Sequence, residues 1–142
     1  MTRYWMGVAC EQHARAGRDG GFAQLGHGKQ SAIKGLKKGD WIVYYSPREK
    51  IDGGAPVRAF TTIGQITSES PYQADQSMGF HPHRVDVDYL LTAVPAPIQP
   101  LLEVQELTRG RKANWGIVMR GAKRELSETD FRSIAVAMGV DW

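Results

Sequence analysis

Between residues 20 and 29 the chain reads Gly-Gly-Phe-Ala-Gln-Leu-Gly-His-Gly-Lys: four glycines around one aromatic ring (Phe22), one amide (Gln24), one imidazole (His27) and one ammonium (Lys29). That many glycines oppose a helix or a regular strand, so an irregular loop is expected, and loops carry function more often than core elements do. A second concentration of polar chemistry ends the run 41–46, Trp-Ile-Val-Tyr-Tyr-Ser, which stands between the turn Lys37-Lys38-Gly39-Asp40 and Pro47. Two adjacent tyrosines and a serine at the end of a buried strand suggest a pocket wall. The plainer reading is a core strand whose phenol hydroxyls reach its edge.

Three other chemistries fit less well. His27, His81 and His83 with Glu11 or Asp86 would make a metal site, but their spacing matches no zinc pattern and Cys10 is the single cysteine. Residues 17–28 are glycine-rich without either phosphate-binding glycine arrangement. A hydrolytic site needs a nucleophile or activated water beside an acid and a lysine. Glu11 with Lys29 or Lys34, or Cys10 as an inferior nucleophile, would serve, yet nothing in the spacing brings them together.

These residues need a scaffold, and 142 residues with 42% hydrophobic and 23% charged content fit one soluble domain over 1–142. The formal charge of +3 is too weak to imply nucleic acid by itself. The excess gathers at Lys29, Lys34, Lys37 and Lys38, and again at Arg109, Arg111, Lys112, Arg120, Lys123 and Arg124, as solvated surfaces often do. One cysteine forms no internal disulfide, no apolar run is long enough for a membrane span, and the first ten residues lack an apolar leader segment. A cytoplasmic protein without membrane association is expected.

Residues 3–9 read as a first strand, with Gly7 marking a bulge or a close approach of other atoms. A short helix or turn is expected over 11–18, and a short helix capped by Ser31 over 31–36. The central strand 41–46 stops at Pro47, which cannot donate to a ladder. Strand 57–67 follows antiparallel to it, then a long connection over 68–82 containing Tyr72, Met78 and Phe80. Residues 83–91 alternate apolar with charged and predict a half-exposed strand. A short helix from 98 or 101 to 107 and a last strand over 114–120 come next. Ser127 followed by Asp130 starts a final helix whose apolar face is Phe131, Ile134, Ala135 and Met138. Trp5, Trp115, Phe60 and Phe131 are expected in the core, and Tyr44 is expected packed or exposed. The sum is about five strands in a compact, mostly β barrel with helices outside, the first two strands not joined as a hairpin.

Taken in order, Tyr4-Trp5-Met6-Gly7-Val8, Gly21-Phe22-Ala23-Gln24-Leu25 with His27-Gly28-Lys29, Lys38-Gly39-Asp40 with Tyr44-Tyr45-Ser46-Pro47-Arg48, Phe60 with Ile63-Gly64, Gly79-Phe80-His81-Pro82 with Arg84, and Asn114-Trp115-Gly116 resemble the small stand-alone EVE-domain proteins. The resemblance covers nearly the whole chain. It implies an α+β, PUA-like fold related to the YTH and ASCH domains: a small twisted, mostly antiparallel β-barrel with short flanking helices. It also implies non-catalytic binding of a modified base in DNA or RNA, without a cofactor, in a pocket walled by aromatic rings. Carried over residue by residue, the rim includes Ala9, Cys10 and Glu11. Phe22, beside Gln24, stands where YTH domains have a larger tryptophan. Tyr45 and Ser46 form the floor, and a further aromatic is Tyr72 or Phe80, the latter followed by His81.

A base taken out of its stack needs flat apolar faces above and below and hydrogen-bonding groups at its edge. Phe22 with Tyr45 or Phe80 would supply the faces, and Gln24, Ser46 or main chain the edge. Such stacking contributes roughly 1–3 kcal/mol per base. Lys29, Arg48 and Arg84 are the cations expected at phosphates. Two other classes stay open at this point: a small hydrolase acting on a modified nucleoside, and a small-molecule binding protein. A reader of a mark also implies a separately encoded effector protein that acts on it.

Overall fold

The computed structural model describes residues 1–76, 79–111 and 113–142; Met78, Lys112 and the His27 side chain lie outside the described positions. The fold is α+β: among the described residues eight strands, β1 (Tyr4–Val8), β2 (Phe22–Ala23), β3 (Trp41–Arg48), β4 (Pro56–Ile66), β5 (Tyr72–Gln73), β6 (His83–Tyr89), β7 (Ala96–Pro97) and β8 (Lys123–Leu126), form a curled, mixed half-barrel with four short helices around it. The strand order is β2-β6-β4-β3-β1-β8, with β5 on β6 and β7 on β4. Strand β1 (Tyr4–Val8) runs parallel to β3 (Trp41–Arg48), with Tyr4 beside Trp41 and Val8 beside Tyr45; every other pairing is antiparallel. A parallel neighbour requires a crossover rather than a hairpin. Helix α1 (Glu11–Gly20), β2 (Phe22–Ala23) and α2 (Gln30–Ile33) make that crossover.

Because alternate side chains point to opposite faces, β1 and β3 feed two cores. Met6, Val43 and Tyr45 join Phe60, Ile63 and helix α4 (Glu128–Ala137) on one side. Trp5, Ile42 and Tyr44 join Leu25, Ile33, Val85 and Tyr89 on the other. Buried Asp40 ties the two central strands at one end, accepting from the Arg3 and Lys37 amides at 3.0 and 3.2 Å and from the Trp5 indole at 3.1 Å. Gly7 is a close approach: a Cβ there would stand 2.6 Å from Leu25 Cδ2 and 3.0 Å from Tyr44 Cε1.

Several expectations change. The 20–29 segment is not wholly irregular, since Phe22 and Ala23 pair with Asp86 and Val85 of β6 (His83–Tyr89). Pro47 does not end β3; the pairing with β4 (Pro56–Ile66) shifts between Ser46 and Arg48, and a bulge absorbs the missing donor. Ser31 lies inside α2, whose cap position is Lys29. Residues Gln99–Leu101 form a single 3₁₀ turn, with turns rather than a helix beyond them. The expected last strand is instead one helical turn, α3 (Trp115–Val118), with Ile117 exposed; the place beside β1 belongs to β8 (Lys123–Leu126). A short apolar run does not by itself choose between helix and strand. Inside 68–82, β5 (Tyr72–Gln73) pairs with β6. The short β7 (Ala96–Pro97) pairs with β4. Strand β6 alternates as expected, Val85, Val87 and Tyr89 buried and Asp86 and Asp88 exposed. The apolar face expected of the final helix, Phe131, Ile134, Ala135 and Met138, is buried.

Candidate functional site

A cavity of about 630 Å³ opens where β1, α1, β2 and the end of β3 meet. The start of α1 is hung on the end of β3 by main-chain bonds, Ala9 N–H to Tyr45 O at 3.2 Å and Gln12 N–H to Glu49 O at 3.0 Å. This places Ala9, Cys10 and His13 on one wall. Phe22 and Gln24 form the next wall, and two absent Cβ atoms allow it. One at Gly17 would lie 2.7 Å from the Phe22 carbonyl oxygen, and one at Gly20 would lie 2.3 Å from Phe22 Cε2. The Tyr89 hydroxyl donates to that same carbonyl at 2.9 Å and fixes the wall to β6.

Tyr44 lines the cavity from β3, its hydroxyl donating to the Gln24 carbonyl at 3.4 Å. Burial pushes its phenol pKa far above the ordinary range. The Gln24 side chain lines the cavity, and its oxygen is buried without a hydrogen-bond partner. Ile51 and Phe80, 56% and 43% exposed, stand among the lining residues and mark its mouth. Arg48 and Lys50 add positive charge there. The Arg48 guanidinium also donates to the Gly53 and Gly54 carbonyls at 3.4 and 2.9 Å, shaping the loop after β3.

Of the residues expected at the pocket or its phosphates, Ala9, Cys10, Phe22, Gln24, Phe80 and Arg48 line this cavity, and Glu11, expected at the rim, does not. Tyr45 does not, because alternation turns it to the opposite core, edge-on to Phe60 and Trp115 with ring centroids 5.6 and 6.4 Å away. Burial pushes its pKa up to about 12, with the Arg58 charge opposing the rise. Ser46 is fully buried and shares a 2.8 Å hydrogen bond with Thr61, leaving no floor contact. Tyr72 is exposed on β5 and donates to Asp86. His81 sits 3.3 Å from Asp75 at the surface. Lys29 is exposed and outside the lining. Arg84 lies against Phe22, its guanidinium carbon 3.8 Å from the ring centroid, and donates to Gln76 at 3.2 Å, so it backs the ring instead of standing free for a phosphate.

His13, Gln76, Lys50 and Ile51 line the cavity without having been singled out for it, and so does Tyr44, expected packed or exposed. For Tyr44 there was a signal in Gly7, its direct neighbour across the parallel β1–β3 pair. Residues proposed for hydrolysis do not assemble. Glu11 pairs with Arg15 at 3.3 Å and forms no ion pair with Lys29 or Lys34, and no hydrogen bond joins Cys10 to His13, among the described residues. Nor do three His, Cys, Asp or Glu side chains gather as metal ligands would, among those residues.

A curled mixed sheet with short helices around it, open at the ends of its central strands, is a PUA-like architecture. The chain belongs to the EVE domain family, which it matches over residues 3–137. It is 45% identical over 141 residues to a UPF0310 protein of Mesorhizobium japonicum, covering 98% of this chain and 93% of that one. With the UPF0310 protein YdcG of Bacillus subtilis it shares 40% over 142 residues, covering 99% and 94%. Among solved structures it resembles the YTH domain of Zygosaccharomyces rouxii MRB1 in complex with N6-methyladenosine RNA, with a TM-score of 0.63, 11% identity and coverage of 95% and 85%. It also resembles protein Atu2648 of Agrobacterium tumefaciens, with a TM-score of 0.56, 12% identity and coverage of 98% and 94%. At those identities the two structures speak for the fold alone.

Proposed function

We propose that the protein is a non-catalytic reader of a modified base in a nucleic acid strand, holding the base in the cavity bounded by Phe22, Tyr44 and Phe80. The observation that carries this reading is the combination of ring-lined walls with one amide side chain, Gln24, whose oxygen has no hydrogen-bond partner, in a space of about 630 Å³. Sites for small ligands have this character: concave, largely apolar and supplied with a few convergent polar groups. A flipped base offers π-faces to Phe22 and Phe80, and its hydrogen-bonding edge to the Gln24 amide. Arg48 and Lys50 at the mouth suit the backbone phosphates. The MRB1 YTH domain, which shares the fold, was solved with N6-methyladenosine RNA, and that supports a strand bearing a modified base as the ligand class. The lack of a nucleophile–base pair at Cys10 and His13 favours binding over hydrolysis. On this reading a cytoplasmic effector, encoded separately, acts on what the domain has bound.

The test is a fluorescence titration with short single- and double-stranded oligonucleotides, with and without methylated or hydroxymethylated cytosine and methylated adenine. A modification-dependent quench is expected. Phe22→Ala and Phe80→Ala should each weaken binding of the preferred oligonucleotide about tenfold, the share of one stacking partner. Tyr72→Phe, at a ring outside the cavity, should leave binding unchanged. Equal binding of modified and unmodified strands, or parent-like binding by both alanine variants, would overturn the reading.

A further inference from the structure

A second cavity, of about 390 Å³, lies on the other side of a wall made by Val8, Pro47 and Gly121, which line both spaces. Its remaining surface comes from Tyr45, Trp115, Gly116, Met119, Arg58 and Arg120. Trp115, expected in the core, is only half buried and lines this space. Neither arginine pairs with a carboxylate among the described residues. Two uncompensated guanidinium groups beside an indole make a place for an anion carried on a flat ring.

The backbone beneath Arg58 singles it out. Ser46 pairs with Ala59 and Arg48 with Pro56, so Val57 and Arg58 together stand opposite Pro47 in a bulge. Bulges re-aim side chains and gather near sites. Arg58 takes φ +48°, the one non-glycine residue with positive φ among those described. Glycine or asparagine would hold that conformation with less strain. Arg58 is exposed, so packing does not ask for its side chain, and its charge reaches the Tyr45 hydroxyl at the cavity. Strain retained at an exposed cation beside a cavity is evidence of use.

We infer that the second cavity receives the nucleotide adjacent to the one whose base fills the first, its base against Trp115 and its phosphate between Arg58 and Arg120. This rests on the base-reading function proposed above. The shared wall is what makes neighbouring positions on one strand the fitting occupants: a strand passing over Val8, Pro47 and Gly121 meets both spaces in turn.

The experiment uses the whole chain labelled with 5-fluorotryptophan, the Trp115 signal being assigned from a Trp115→Phe variant. The probes are N6-methyladenosine, 5-methylcytidine and their unmodified counterparts as nucleosides, the same residues flanked by adenosines in trinucleotides, and inorganic phosphate. The trinucleotide carrying the preferred base should bind at least about tenfold more tightly than its nucleoside and shift the Trp115 resonance, which the nucleoside leaves in place. Arg58→Gly relieves the backbone strain, so its melting temperature should hold or rise. Its trinucleotide affinity should fall, with a plot of log affinity against log salt shallower by about 0.7 for one lost phosphate contact on a single strand. Its nucleoside affinity should match the parent's.

If a nucleoside binds but its trinucleotide binds no better, or if Arg58→Gly keeps the parent's trinucleotide affinity and salt slope, the second site is refuted while the base reader stands. If phosphate alone shifts Trp115 as far as the trinucleotide does, the site takes free anions and the nucleotide assignment fails. If no nucleoside or trinucleotide shows a preference for modification, the base-reading function itself fails and takes this inference with it.

Discussion

Tyr44 and Tyr45 are neighbours on β3, yet one lines the main cavity and the other sits in the opposite core near Arg58. Both hydroxyls are withdrawn from water, and with Tyr89 they make stability sensitive to alkali. Burial raises the Tyr44 and Tyr89 pKa values well above 10, and takes Tyr45 from 10 to about 12. Near pH 11 an unfolded phenol has lost its proton while these folded ones keep theirs, so the unfolded state binds fewer protons and stability falls as pH rises. Their contribution is complete below pH 10 and is lost on the way up through the folded values. Urea midpoints measured from pH 9 to 12 should therefore decline, and Tyr45→Phe, which removes one titrating hydroxyl, should flatten part of the decline. An equally steep decline in the variant would count against the burial assigned to Tyr45.

At the scale of elements, α4 does more than cover a core. Ser127 caps it, accepting from the Asp130 amide at 3.1 Å, as the Ser–acid spacing implies. The Asp130 carboxylate does not complete a capping box, however. It is buried and accepts from the Glu106 and Leu107 amides at 2.7 and 3.0 Å, tying the turns after residue 101 to the helix. Asp130→Ala would leave those two donors without a partner, and should destabilise the protein by about 3 kcal/mol in chemical denaturation, since hydrogen bonds to charged groups contribute about 1.5–3 kcal/mol each. Hydrogen exchange at Glu106 and Leu107 should speed up while the β1 and β3 amides stay protected. A loss below roughly 1 kcal/mol would show that the carboxylate adds little beyond an ordinary exposed cap. The crossover α1–β2–α2 is held equally locally, by Gly17 and Gly20, which let the helix press onto Phe22.

For the whole molecule, a net charge of +3 sets no strong long-range field, so phosphate affinity must come from cations placed by the fold. Arg48 and Lys50 at the first cavity and Arg58 and Arg120 at the second are four such groups. If each meets one phosphate of a single strand, the slope of log affinity against log salt should be about −3. Binding isotherms of the preferred oligonucleotide from low to moderate salt measure it. A slope near zero would mean that the backbone is not contacted, and a neutral small ligand would then be the better fit.

Much of this was legible in the residues. Strand alternation in 41–46 separated the two faces of β3, the period of 131–138 defined the buried face of α4, and the ordered motifs pointed to the EVE family. Phe22, Gln24 and Phe80 could be marked for one pocket because they lie in the segments that carry the resemblance, and Cys10 because it closely follows the first of them. Local pattern says which residues share a face, but not what lies over that face. Whether Tyr44 or Tyr45 met the main cavity depended on α1 and β2 covering one side and α4 the other, contacts made by residues far apart in the chain. The parallel β1–β3 pairing, the stacking of Arg84 on Phe22, the choice of β8 over residues 114–120 and the bulge that aims Arg58 were likewise settled only in three dimensions. Each of these follows from competition among distant segments for the same sheet edge or the same space, and no local periodicity records its outcome.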